Sequence, residues 1–277
     1  MITIQNLSFA YRKKQVFNGL DLEFTAGHVY GLLGKNGSGK SSLLRNIAGL
    51  LAPQQGNIRV NGFTPFDRLP AFLEDVFMVP EELALPDISV PAFLRHYAPF
   101  YSRFDAEKFA YYCSVFNTPD RGTLQSMSYG QKKKVLISFA LATNARLLLM
   151  DEPTNGLDII SKSQFRKLLA ESLNEQQCII ISTHQVKDLE NLIDRVTIVE
   201  EGKILFDETI DRIVNKLSFR FSFDAEDAKT AIYAESSLIG NIVVTPNKSG
   251  EESKLDLELL YKAIINNKEE ITKLFAA

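Results

Sequence analysis

Ile2, Ile4 and Leu7, then Val16, Leu20, Leu22 and Phe24, are spaced near period two among polar neighbours at the start of the chain. This alternation puts one face of an extended segment against a core and the other in water, which predicts two half-buried antiparallel strands. Residues 29–33 (VYGLL) break the pattern, and a short continuous apolar run predicts a strand buried on both faces. The run ends at a glycine-rich turn. From Ser41 the spacing of Leu43, Leu44, Ile47, Ala48 and Leu51 is helical, and Pro53 with Gly56 ends the helix. Residues 147–150 (LLLM) and 179–182 (IIIS) predict two more buried strands, with a helix over about residues 161–173 between them. Strands alternating with helices define a doubly wound α/β core.

Between about residues 86 and 125 the texture changes to aromatic-rich helix (PFYSRFDAEKFAYYCSVF) without strand alternation, which predicts a helical insertion. Past Phe206 the pattern predicts a helix over about residues 211–217 and a strand carrying Phe219, Phe221 and Phe223. A polar loop over residues 247–254 and a last helix over residues 255–275 follow. The chain thus divides into a main domain, residues 1–210, with a helical subdomain at about 86–140, and a small C-terminal accessory domain, residues 211–277.

The length of 277 residues is enough to bury a large core. Apolar residues at 45% and charged residues at 23% place the chain among ordinary globular proteins. A net charge of −3 gives no global field that would draw in nucleic acid, so no nucleic-acid partner is expected. Lys132, Lys133 and Lys134 read as a solvated helix face. The longest uncharged apolar stretches, residues 135–142 and 178–181, fall far short of the roughly 18 residues a membrane span needs. The first residues also lack the apolar run of a secretory signal. Cys113 and Cys178 show no metal-ligand spacing and read as two buried thiols. His28 and His96 match no pattern and read as surface or packing residues.

The chemistry begins at Gly34, Lys35, Asn36, Gly37, Ser38, Gly39, Lys40 and Ser41 (GKNGSGKS), which matches G-x-x-x-x-G-K-[ST] between a buried strand and a helix. Glycines let backbone N–H groups wrap an anion, and the helix start adds a favourable dipole. Lys40 can then reach the outer phosphates of a nucleotide, and the Ser41 hydroxyl can ligate Mg²⁺. Asp151 and Glu152 end an apolar strand, where open α/β sheets place their ligands. One carboxylate can hold Mg²⁺, and the next can orient or deprotonate an attacking water.

Met127-Ser128-Tyr129-Gly130-Gln131, about twenty residues before that strand end, resembles the LSGGQ-type signature of ATP-binding cassette (ABC) ATPases. Asp151-Glu152-Pro153-Thr154-Asn155-Gly156-Leu157-Asp158 and Ser182-Thr183-His184 follow in that family's order and at its spacing. The resemblance covers about residues 1–210. It implies a P-loop NTPase core of ABC ATPase type with an antiparallel β subdomain, a helical signature subdomain and a small C-terminal α+β appendage. It further implies that Tyr11 stacks on adenine with help from Val16, and that Lys35, Asn36, Ser38 and Ser42 belong to the phosphate loop. Asp151 would stand on the magnesium side, with Glu152 as the catalytic base and His184 as the switch residue at the γ-phosphate. Ser128, Gly130, Gln131 and Asp158 would meet a nucleotide held by a second nucleotide-binding subunit, identical or different. Two ATP would then lie between two such subunits, with Mg²⁺.

Three departures from the family pattern stand out. Glu81 stands where a glutamine is usual in the loop leading to the helical insertion, Ser42 replaces the commoner threonine, and Met127 and Tyr129 replace a leucine and a small residue. A carboxylate at Glu81 can still ligate Mg²⁺ as a hard oxygen donor, but it adds negative charge beside the phosphates. The aromatic insertion, the variant signature and the C-terminal appendage resemble the ATPase partners of separately encoded ABC-2-type permeases. That implies a cytoplasmic subunit held on the inner face of the cell membrane by a transmembrane exporter. The alternative is a soluble cassette ATPase acting on ribosomes, DNA or metal-cluster assembly, although neither a second cassette nor a long coiled coil is present. A P-loop kinase would share only the phosphate loop.

Overall fold

The computed structural model describes residues 1–119, 121–247 and 253–276, without the side chains of residues 225 and 276. The chain opens with β1 (Ile2–Tyr11), β2 (Lys14–Phe24), β3 (His28–Leu33), α1 (Lys40–Ile47), β4 (Gln55–Val60), α2 (Pro70–Leu73) and β5 (Val76–Val79). Then come α3 (Val90–Tyr97), α4 (Ala106–Val115), α5 (Tyr129–Ala142), β6 (Leu147–Asp151), α6 (Ile159–Ser172), β7 (Cys178–Thr183), β8 (Arg195–Glu200) and β9 (Lys203–Thr209). It closes with α7 (Ile210–Lys216), β10 (Leu217–Ser222), α8 (Ala225–Thr230), β11 (Tyr233–Ser237), β12 (Gly240–Pro246), α9 (Leu257–Asn266) and α10 (Lys268–Ala276).

The central sheet runs β5-β6-β7-β3-β8-β9, with its first five strands parallel and β9 antiparallel at one edge. Alternate residues of its strands enter two cores. Leu147, Leu149 and Ile180 join Leu43, Leu44 and Ile47 of α1 under the antiparallel sheet β2-β1-β4. Leu148, Met150, Ile179 and Ile181 join α5, α6 and the helical insertion on the other face. Two covered faces explain why these strands read as continuous apolar runs rather than as alternation. Among the described residues no helix is long and apolar enough to cross a membrane.

The aromatic insertion is a packed helical layer around Phe139 of α5. Its ring lies 5.0 Å from Phe93, 5.2 Å from Phe104, 5.5 Å from Phe77 and 5.8 Å from Tyr101, centroid to centroid. Phe139→Ala should cost about 3–5 kcal/mol, because the cavity cannot collapse between rings held on three separate segments, β5, α3 and the turn before α4. Urea unfolding checks this: the midpoint should fall with the slope unchanged, and a loss under about 1 kcal/mol would contradict the packing described.

The C-terminal elements form a third sheet, β10-β12-β11. Leu217, Val244, Leu260 and Ile271 there are contiguous with the core that holds Val196, Ile198 and Phe206 of the main sheet. Arg212 and Lys216 of α7 donate to the carbonyls of Phe275 and Leu274, each at 2.6 Å, and so cap the end of α10. The helix expected over residues 255–275 is instead two. Asn267 closes α9 and its carbonyl accepts the Ile271 N–H of α10 at 3.1 Å, so a pair of asparagines ends one helix and starts the next. Residues 248–252 of the expected polar loop lie outside the described residues. Cys113 and Cys178 are buried in different cores, and burial pushes the Cys178 thiol up to about 12. At neutral pH it is an inert thiol.

Candidate nucleotide-binding site

Strand order brings the separated motifs together. β3, β7 and β6 are neighbours, Leu33 pairs with Thr183, and Asp151 pairs with Ser182. The loops leaving their C-terminal ends therefore share one rim, where a doubly wound sheet binds its ligand. From β3 the phosphate loop turns into α1 through Gly39, whose φ is 111°. A Cβ there would lie 2.7 Å from the Phe17 ring, so neither the conformation nor the space admits a side chain. Gly39 also provides no side-chain cap, which leaves the first N–H groups of α1 directed at the rim. Lys40 is buried, and its ammonium donates to the Gly34 carbonyl at 2.7 Å and the Lys35 carbonyl at 3.1 Å. Burial pushes its pKa down, and Glu152, Asp151, Glu81 and Glu200 oppose that shift.

On the facing strand, Asp151 is buried, and its Oδ1 accepts from Ser41 Oγ at 3.0 Å and from the Ser182 hydroxyl. Its Oδ2 is buried without a hydrogen-bond partner. A buried oxygen in that state is what a cation or its bound water would satisfy. Among the described residues no three Asp, Glu, His or Cys side chains converge as a metal cage. The donor set thus suits a hard ion that takes one or two carboxylates, with a hydroxyl beside them, and completes its shell with phosphate and water.

Glu152 adopts a left-handed backbone (φ 45°), a conformation that costs an acyclic side chain roughly 1 kcal/mol or more and persists only where its surroundings fix it. Its N–H donates to the Ser182 carbonyl at 3.0 Å. Thr183 Oγ1 donates to Oε2 at 2.8 Å, and the His184 N–H donates to Oε1 at 2.9 Å. The His184 ring lies 2.7 Å from the same Oε1 through Nδ1. The expected base and the expected switch residue are therefore in direct contact, and Oε2 keeps capacity for a further hydrogen bond.

Gly39, Lys40, Ser41, Glu152 and His184 line a cleft of about 340 Å³ together with Tyr11, Val16, Asn36, Gly37, Ser42 and Glu81, while Asp151 lies behind Ser41 and does not line it. Tyr11 at its mouth is 42% exposed, and its hydroxyl accepts from Ser42 Oγ at 3.4 Å, which leaves the ring face open. Lys14, paired across the β1–β2 turn with Tyr11, also lines the cleft without a sequence expectation; a cation three residues from a strand-end aromatic is a faint sequence signal. Lys35 turns outward to Glu200 at 3.3 Å, while Ser38 Oγ is buried beneath the loop without a partner. His28, by contrast, sits 3.1 Å from Asp194 at the start of β3, in a packing role.

The signature residues do not line this cleft. Ser128 caps α5: its Oγ accepts the Gln131 N–H at 3.3 Å, and its own N–H donates to Gln131 Oε1 at 2.9 Å. Tyr129 lies over Gly156 (φ 81°), where a Cβ would be 2.7 Å from the ring. Asp158 caps α6 by accepting the Ser161 N–H at 2.8 Å, and that bond, with the Ser161 hydroxyl, holds its carboxyl below the usual range. The expected solvated lysine face is corrected at two positions. Lys134 keeps only 16% of its side chain exposed and donates to the Phe116 carbonyl at 3.4 Å. Lys133 is fully buried, with its ammonium 3.1 Å from the Pro80 carbonyl and 3.2 Å from the Glu81 carbonyl. Desolvation pushes it down to about 8, against the pull of Glu81, Asp151 and Glu152.

A phosphate loop on one buried strand, an acid pair on its neighbour but one and a histidine on the strand between them define a P-loop nucleotide hydrolase. The family model described as "ABC transporter" matches residues 17–155. The chain is similar to the cobalt import ATP-binding protein CbiO of Salmonella paratyphi A, at 32% identity over 226 residues, covering 74% of this chain and 79% of that protein. It is also similar to the linearmycin resistance ATP-binding protein LnrL of Bacillus subtilis, at 29% identity, covering 74% and 68%. A solved ATP-binding subunit of an ABC transporter superposes with a TM-score of 0.70 at 25% identity, covering 76% of this chain and 91% of that one. The chain belongs to the ABC transporter ATP-binding family. It is an ABC ATPase that binds ATP.

Proposed function

We propose that the protein dimerises around two ATP and drives a separately encoded transmembrane permease, as an exporter subunit bound to the cytoplasmic face of the membrane. The observation that carries this reading is the split of the site. Lys40, Ser41 and Glu152 line the cleft, whereas Ser128, Gly130, Gln131 and Asp158 lie outside it, so one protomer supplies only half of what would enclose a triphosphate. Within that reading Ser41, Asp151 and Glu81 hold Mg²⁺, which would neutralise charge on the phosphates. Tyr11 and Val16 take the base, Lys40 the outer phosphates, Glu152 orients or deprotonates the attacking water, and His184 senses the terminal phosphate. Residues 1–210 form the cassette and 211–277 an accessory unit.

A permease contact is supported by an apolar groove of about 770 Å³ between the core and the helical insertion, lined by Leu50, Leu73, Tyr97 and Phe100, with Phe100 69% exposed. Such a groove would seat a short amphipathic segment. Phe100→Glu should abolish co-purification with the membrane protein expressed beside it while the isolated subunit keeps its ATPase rate. Retention of the complex would overturn the docking assignment. Transport into inverted rather than right-side-out vesicles would support export, since the ATP-facing side would then be the side of uptake.

A further inference from the structure

Lys133 is the most deeply buried lysine of the described chain, yet it belongs to none of the groups that line the cleft. Burying an ammonium is costly unless its donors are used. Two of them are directed at consecutive carbonyls, those of Pro80 and Glu81, on the turn that leads from β5 into the helical insertion. Tyr129, one turn earlier on the same helix, donates its hydroxyl to the Glu81 carbonyl, and the Lys133 ammonium lies 5.9 Å from the Tyr129 ring centre. The signature helix therefore grips this turn by its backbone at two places. The Glu81 side chain, left free of that grip, points to the cleft and accepts from Asn155 Nδ2 at 3.3 Å. Asn155 Oδ1 in turn accepts from Gln185 Nε2 at 3.2 Å, next to His184.

We propose that Lys133 is a positioning residue for ATP hydrolysis: it pins the Pro80–Glu81 turn to the signature helix and so fixes the Glu81 carboxylate over the cleft. The same anchor steadies the contacts that run from Glu81 through Asn155 to Gln185. Tyr11, Val16 and the phosphate loop stand apart from it, so nucleotide binding does not depend on Lys133. The arrangement also answers the acidic residue at this position. A carboxylate free to wander beside the triphosphate would repel it, whereas one held by its backbone and by Asn155 can be aimed at a cation. The inference rests on the assignment of Glu81 to the metal side of the cleft proposed above.

The test is a double-mutant cycle on the full-length subunit, with steady-state hydrolysis of Mg-ATP and nucleotide stoichiometry measured for each variant. Lys133→Met should lower kcat about 10- to 100-fold, the range for a lost outer-layer contact that misplaces a reacting group, with KM within about threefold. Glu81→Ala should lower kcat comparably, and Lys133→Met added to Glu81→Ala should cost nothing further. If Lys133→Met does not fold, Lys133→Gln, which keeps one donor, carries the same cycle with a smaller loss of kcat. Additive losses, or an unchanged kcat in the Lys133 variant, overturn the inference while leaving Glu81 in place. An unchanged kcat in Glu81→Ala alone overturns the Glu81 assignment beneath it.

Discussion

Lys40→Ala lowers ATP affinity by about 100-fold or more and removes measurable hydrolysis. The ammonium already sits in the phosphate loop with two of its donors on the Gly34 and Lys35 carbonyls, aimed by a buried stem. A buried cation-to-phosphate contact is charge-assisted and little screened, and 2.7 kcal/mol of such binding is already about a hundredfold in Kd. Alanine also leaves those two loop carbonyls without their partner, so the loop loses the shape that presents its N–H groups. Arginine does not restore function, since its longer planar fork cannot occupy a site built around a point charge. Isothermal titration with ATP, alongside a melting curve showing that the variant is folded, checks this. Affinity within about threefold of the wild type would remove Lys40 from the site.

Glu152→Gln keeps ATP binding but slows turnover by about two orders of magnitude or more. The amide oxygen of glutamine can still accept the His184 N–H, and its NH2 can donate to the Thr183 hydroxyl, which accepts as well as donates, so the strained backbone and the geometry of the β7 end are retained. What it loses is the capacity to take a proton. The variant should therefore accumulate the ATP-loaded state, and with it the paired form in which a second protomer covers each triphosphate. Single-turnover kinetics and sedimentation with Mg-ATP check both effects. Normal hydrolysis would place the base elsewhere.

How much of this was legible depended on how local the signal is. The phosphate loop, Asp151-Glu152, the signature and His184 are short strings; three of the four follow strand ends, and strand adjacency in the parallel sheet assembles those three. The fourth, the signature, lies outside the cleft, where the proposed dimer would bring it to a second protomer's nucleotide. Three lysines in a row suggest a wet surface, yet Lys134 is largely covered and Lys133 is fully buried. Periodicity held the correction: Leu136, Ile137 and Ala140, three, four and seven residues on, are all buried on the same face of α5. The β8–β9 hairpin escaped notice as well, with RVTIVE and KILFDET joined at Glu201-Gly202, both at positive φ, the geometry of a two-residue turn. The C-terminal helix was read as continuous because its apolar spacing persists across Asn266 and Asn267, where only the capping residues mark the break. The contact between Glu152 and His184 left no trace in sequence at all, since it arises from two side chains on neighbouring strands.

The central claim is that each triphosphate is gripped by Lys40 of one protomer and by the start of α5 of another. Ser128 Oγ accepts the Gln131 N–H, which leaves its own proton and the N–H groups of Tyr129 and Gly130 available to such an anion. A structure of Glu152→Gln with Mg-ATP tests this most directly. The predicted result places the second protomer's Ser128 hydroxyl and Gly130 N–H about 3 Å from the terminal phosphate, within hydrogen-bond reach. A nucleotide whose terminal phosphate faces solvent, with no second protomer beside it, would contradict the account.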